Sequence, residues 1–324
     1  MSTKKSKIVL IIYKNLAAFG LFIAILAVST AAIFIRKAQA NTSSLVIAAY
    51  RLCLASLMLF PFSIKRVLQE KKALHKKNII LLILSGILLA LHFASWITSL
   101  EFTNVASSVV LVTTTPVWVT IFSPLFLKEK QSRTFSVGLA VAVVGIIITS
   151  ISGICRLSSG GVQCAQGGLW GRDTALAGNL LALAGAWCVA GYMMVGRRVR
   201  KDLSNRSYVF LVYSVSAVTL LLISLLTRQP LLSVSKMDLL WLVALALIPQ
   251  VVGHSLLNWA LGRLPAAYVS LSLLGEPVGS TVLAYLLLNE SPSTLELIGA
   301  AVIIFGIYRA TRPAKKTEPI DMAT

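Results

Sequence analysis

An all-α membrane protein of ten transmembrane helices, arranged as two inverted five-helix repeats, is the fold class this sequence predicts. Three observations carry the expectation. Of 324 residues, 57% are hydrophobic and only 13% charged, and the mean hydropathy is +0.84, a balance that soluble domains do not show. Apolar runs of about 20 residues, enough to cross ~30 Å of hydrocarbon as a helix, recur ten times without the two-residue alternation of an outer-membrane barrel. Finally, the chain repeats itself at an offset of 161 residues.

Taken in order, the runs lie near residues 16–35, 45–64, 78–100, 104–127, 134–152, 175–196, 207–227, 238–261, 266–288 and 295–311, numbered here as spans 1 to 10. A tail of residues 1–15 precedes them, the repeats occupy 16–152 and 175–311, a Gly- and Cys-containing loop spans 153–174, and a second tail covers 312–324. Span 1 carries Ala38-Gln39-Ala40 downstream, which resembles a signal-peptidase site. Its apolar stretch exceeds a usual signal core, and Arg36 and Lys37 intervene, so an uncleaved first helix is expected.

Net charge is +19, which in a soluble chain would suggest nucleic acid. Here the charge is topological. With the N-terminus inside, 23 of the 30 Lys and Arg fall on inner segments or inner span ends and 6 on outer loops, and Arg51, inside span 2, completes the count. That split places both termini in the cytoplasm and leaves no role for nucleic acid. Of the four cysteines, Cys53 and Cys188 lie in spans, whereas Cys155 and Cys164 share the outer loop, where a disulfide would close a short ring. Two free thiols are the alternative. The loop glycines are followed by no Gly-Lys-Ser/Thr and so form no phosphate cradle.

The repeat is clearest where "VTTTPVWVTIFSPLFLKEKQS" lies over "LLGEPVGSTVLAYLLLNESPS". Pro116 meets Pro277, Thr120 meets Thr281, Leu127 meets Leu288, and Glu129 meets Glu290. Five spans is an odd number, so the second half enters the membrane upside down, as in many secondary transporters. On these segments the chain resembles the EamA-like family of the drug/metabolite transporter superfamily over about residues 16–311. The resemblance implies export or exchange of small metabolites through a central cavity by alternating access. Spans 1 and 6 align poorly, apart from Gly20 with Gly178.

Within the spans, polar groups mark candidate substrate-binding or coupling residues. Pro277 cannot donate to the Leu273 carbonyl, nor Pro116 to that of Val112, so each helix-kink is expected to leave a free acceptor near mid-membrane. Thr114 and Thr115 sit at one kink and Glu276 at the other. The threonines could equally bond back to their own helix. Arg51 lies about two turns below the outer end of span 2, where it either snorkels or serves the cavity. His92 and Trp96 are one turn apart on span 3, and His254 and Asn258 repeat the spacing on span 8. Each pair reads either as a helix-to-helix bond or as cavity lining. Gly275 and Gly279 form a close-contact stripe or a cavity wall.

Glu276 is the eleventh residue of span 9 and so sits ~15 Å from either face. A charged carboxylate there costs at least about 2.5 to 3.5 kcal/mol on insertion scales, so it faces a cavity, pairs with a cation, or holds a proton. The expectation is a secondary transporter of the plasma membrane for an amino-acid-like or drug-like metabolite, with protons as the candidate coupling ion. Lipid, the substrate and a second copy in a homodimer are the partners considered. A channel is the first alternative and a membrane-embedded enzyme the second. Three histidines and one deep carboxylate supply no metal-ligand cluster, no cofactor site and no catalytic set.

Overall fold

A computed structural model describes residues 2–102, 108, 111–151, 155–158, 161–164, 175–288 and 292–312. Span 1 is α1 (Ser2–Ser29) and α2 (Ala31–Ala38), broken at Thr30. Span 2 is α3 (Ser44–Gln69), and a 3-10 turn at Lys71–Ala73 leads into span 3, α4 (Lys76–Phe102). The described helix of span 4 is α5 (Thr115–Phe126), and span 5 is α6 (Arg133–Ile151). Span 6 is α7 (Ala175–Val199) and span 7 is α8 (Asn205–Leu226). Span 8 runs through α9 (Lys236–Leu245), a π-helical stretch Ala246–His254, and α10 (Ser255–Leu261). Span 9 is α11 (Ala266–Ser272) and α12 (Gly275–Leu288), and span 10 is α13 (Thr294–Thr311). Serine caps start two of these helices: Ser204 accepts the N–H of Ser207, and Ser235 that of Asp238, whose carboxylate also suits the positive end of α9.

The outer loop is not irregular throughout. Strands β1 (Cys155–Ser158) and β2 (Gly161–Cys164) pair antiparallel, with Cys155 directly opposite Cys164. Gly161 takes a φ of 107°, a conformation that favours glycine at a hairpin turn.

The helices pack as a pseudo-two-fold pair of halves. Span 5 packs on span 10 and span 2 on span 7, each span against its own repeat partner. Span 3 packs on span 6, and span 8 on span 1, which is the same contact with the halves exchanged. Glycines fix the most intimate of these contacts. A Cβ on Gly138 would overlap the Ala310 backbone, and one on Gly299 would overlap Thr149. Likewise Gly306 meets the Ala142 backbone and Gly145 meets Ile303. Each second contact is the first one shifted by 161 residues, so one small-residue seam lets both backbones approach as membrane helices do.

Side chains such as Phe19, Phe22, Leu125, Phe126, Val144, Leu222, Ile304 and Phe305 are exposed on the outer surface, where lipid tails replace water. Small polar groups turn inward, and several are satisfied there. Ser216 donates to the Gly86 carbonyl at 2.7 Å, and the Ser85 and Tyr208 hydroxyls bond at 2.7 Å.

The prolines do not leave the acceptors expected of them. The Val112 carbonyl accepts the Thr115 hydroxyl at 2.8 Å, and the Leu273 carbonyl accepts the Glu276 N–H at 2.9 Å. The chain tightens to i→i+3 bonding at each break, so the carbonyl denied a partner by the proline is taken by the residue just before it. Both spans are broken at the same depth, at residues 113–114 and 273–274.

Candidate functional site

The breaks and the π-helical stretch bring polar side chains to the middle of the bundle. In the π stretch, Pro249 removes a donor and the widened turn carries Gln250 inward, where it is fully buried. Its Oε1 accepts the Nε–H of Arg51 at 2.7 Å. Arg51 does not snorkel: it is 1% exposed, and its guanidinium lies 4.0 Å from the centre of the Phe93 ring, a cation–π contact. Two turns is within reach of the outer face, yet the side chain is held across the bundle by span 8.

Glu276 is the second residue of α12, just past the span 9 break, and is half-buried. It attracts Arg51, but the two form no ion pair; those among the described residues are Arg66–Glu70 and Arg197–Glu129. Its carbonyl accepts the Ser29 hydroxyl at 3.1 Å, at the break of span 1, and Ser280 returns a bond to the Ser29 carbonyl at 3.0 Å. Gly279 leaves the room for Ser29 to approach, and Gly275 abuts Ile25. The two glycines therefore lie in the contact of span 9 with span 1, on either side of Glu276.

Span 3 supplies His92, Phe93 and Trp96. The His92 ring stacks on Trp96 at 5.9 Å, and its Nδ1 bonds the Gly185 carbonyl of span 6 at 2.9 Å. His254 meets Phe93 edge to face at 5.4 Å, one turn from Asn258, which donates to the Tyr192 hydroxyl and to the His254 carbonyl. The Tyr213 hydroxyl reaches the Gln250 carbonyl at 3.3 Å and Ser255 at 3.4 Å. Arg51, His92, His254 and Glu276 thus share one electrostatic neighbourhood.

The threonines stay apart from this cluster. Thr114 donates to Leu111 and accepts the indole N–H of Trp118 at 3.0 Å, while Thr115 is buried on its own helix. They are the back-bonding alternative, used to repair the break. Tyr213, Phe93 and Tyr192 are missed by reading single residues, but the repeat could have flagged one. Tyr213 follows Arg51 at an offset of 162, as His254 follows His92 and Asn258 follows Trp96. The cluster is built largely from paired positions of the two halves.

The end of the bundle that carries the more basic loops is tied. Glu129 Oε1 accepts Arg197 Nε–H at 2.8 Å, its Oε2 accepts the Ala266 N–H at 3.2 Å, and Arg197 also donates to the Leu261 carbonyl at 2.9 Å. One carboxylate thereby joins the ends of spans 4, 6, 8 and 9. Beside it, burial and the nearby Arg263 push the Arg200 guanidinium down to about 10, which leaves it charged at neutral pH. At the opposite end a recess of about 470 Å³ is lined by Gln39, Asn41, Ser43 and Glu101. Glu290, Cys155 and Cys164 fall where side chains lie outside the described residues. Among the described residues no group of three His, Cys, Asp or Glu could hold a metal ion.

Chemically, the cluster offers one guanidinium, one carboxyl, two imidazoles and several aromatic faces in a setting where isolated charge is costly. With both Arg51 and Glu276 ionised its formal charge is zero. A charged ligand or a proton entering it therefore calls for a compensating charge.

Comparison with known proteins places this geometry in a family. The chain is similar to an "Uncharacterized transporter YyaM" of Bacillus subtilis, 25% identical over 74% of this chain and 76% of the relative. It is also similar to a "Probable amino-acid metabolite efflux pump" of Salmonella typhimurium, 24% identical over 56% of this chain and 58% of that protein. A solved crystal structure superposes with a TM-score of 0.74 at 18% identity, covering 92% of this chain and 97% of the other, which establishes a shared fold. The pattern of the EamA-like transporter family matches twice, at residues 15–151 and 176–312. The chain belongs to the EamA-like transporter family.

Proposed function

We propose that this protein is a secondary active transporter that exports or exchanges a small metabolite, amino-acid-like or drug-like, by alternating access, with Glu276 as the coupling group. One observation carries the proposal: a guanidinium from the first half and a carboxyl from the second lie within the spans beside broken helices and attract one another without forming an ion pair. A proton on Glu276 and a charged substrate near Arg51 change the same local charge balance. Binding of either therefore alters the cost of binding the other, which is what exchange requires. The tied inner end is the contact that parts when the halves rock to open inward.

The same reading puts the chain in the plasma membrane with both termini cytoplasmic, supported by the 23 to 6 split of basic residues. The backbone register of Cys155 opposite Cys164 supports a disulfide in the outer hairpin. A relative's description as an amino-acid metabolite efflux pump supports the substrate range.

Counterflow separates this reading from a channel and from an enzyme. In liposomes preloaded with unlabelled metabolite, a carrier accumulates labelled metabolite above equilibrium transiently. A channel equilibrates without overshoot, and an enzyme changes the chemical identity of the label. Overshoot for one member of a metabolite panel is the expected outcome; label that merely equilibrates across every pair, or emerges chemically altered, removes the carrier assignment.

A further inference from the structure

Resting on the reading of the Arg51 cluster as the transport site, we infer that this site takes its substrate by a carboxylate group, held by Arg51 and Gln250. The basis is a set of buried donors with nothing to donate to. Arg51 is 1% exposed and Gln250 0%. Their 2.7 Å bond uses Arg51 Nε and Gln250 Oε1, yet Arg51 Nη1 and Gln250 Nε2 have no hydrogen-bond partner among the described residues. Phe93 covers a face of the guanidinium, so a further polar contact must come at its edge.

All the remaining capacity of this pair is donor capacity. A guanidinium has no acceptor, and the amide oxygen of Gln250 is engaged. Trp96, on the turn of span 3 that follows Phe93, adds a third buried and unpartnered donor in its indole N–H. Leaving a charged donor unpaired in a low-dielectric interior costs more than leaving a neutral one. A carboxylate answers that need: it is planar, carries two acceptor oxygens and balances the charge, whereas an amide or alcohol offers a neutral acceptor.

The protein holds a carboxyl of its own in the field of Arg51, at Glu276. In the unloaded carrier Glu276 balances Arg51 at a distance, and the substrate's carboxylate takes the closer position. Phe93 and Tyr213 touch the polar pair, and Trp96 and Tyr192 are joined to the same cluster through His92 and Asn258, aromatic faces that suit a hydrocarbon or aromatic remainder.

Matched probes test the inference. Purified full-length protein in detergent is titrated with 4-methylpentanoate and with 4-methylpentanamide, and with 3-phenylpropanoate and its amide, while thermal unfolding is followed. Each acid is expected to raise Tm at concentrations at least about tenfold below those its amide needs. The Arg51→Gln variant is expected to lose the preference. Because that variant removes the guanidinium that Gln250 binds and so risks misfolding, Gln250→Glu is measured beside it. This change keeps Arg51 paired, places a carboxylate where the substrate's would bind, and is expected to abolish the response to the acids. Acids and amides of equal effect, a wild-type protein indifferent to both acids, or an acid preference that survives Gln250→Glu would each overturn the subsite. Those results leave the transporter reading standing on counterflow, and a protein that binds acids but shows no counterflow loses that reading alone.

Discussion

The two halves of this molecule share a scaffold and differ in what they place on it. Spans 4 and 9 break at the same depth, ahead of Pro116 and Pro277. In span 4 the residues at the break are threonines, and they spend their hydroxyls on Leu111 and Val112 of their own helix. In span 9 the backbone repairs itself through the Glu276 N–H, which leaves the Glu276 side chain for the space beside Arg51. One repeat supplies a kink, and its inverted copy supplies the kink with a titratable group.

That contrast is sharpest at residues 276 and 115, which the repeat aligns. Glu276→Gln should lower gradient-driven transport by at least about 100-fold, roughly 2.7 kcal/mol, with the protein still monodisperse and folded. Thr115→Val, at the aligned position, should cost no more than about threefold. Equal losses in the two variants would mean that both breaks serve structure alone.

Where the halves are alike, paired substitutions should act alike. Gly145→Val and Gly306→Val each push a side chain into the facing backbone of the span 5 to span 10 seam. Overpacking there should destabilise by about 2 kcal/mol in each case, measured as loss of the folded fraction on heating in detergent. A large difference between them would break the two-fold description of that seam.

The smallest effect distinguishes the prolines themselves. Pro277→Ala restores a donor to the Leu273 carbonyl and should straighten α12 enough to misplace Glu276, slowing transport about tenfold. Pro116→Ala should slow it about twofold, since straightening α5 displaces no side chain of the Arg51 cluster. Purified variants reconstituted at equal protein density give the comparison directly.

Much of the fold could be read from the sequence because membrane insertion imposes so strong a pattern. Ten apolar runs, the charge asymmetry and the 161-residue offset leave few other architectures open. The candidate site was legible in its ionisable members, since Arg51 and Glu276 are costly wherever they sit in a span. Its partners were harder to read. Gln250 reaches Arg51 through a π-helical turn, and a sequence does not show where a helix will widen. Phe93 and Tyr213 look like ordinary core aromatics until the fold places a guanidinium and a carbonyl beside them. The expectation of free carbonyls at the prolines failed for a local reason: i→i+3 bonding needs no signal beyond the break itself.

Coupling in this protein turns on whether Glu276 carries the proton that substrate movement displaces. Liposomes loaded with a pH-sensitive dye and challenged with a counterflow substrate measure this. Wild-type protein should move protons in step with substrate and change rate with pH, while Glu276→Gln should retain substrate-for-substrate exchange with no proton movement and a flat pH profile. A Gln variant that still moves protons, at the wild-type rate and with the wild-type pH profile, would contradict the assignment and leave Glu276 as a buried structural group.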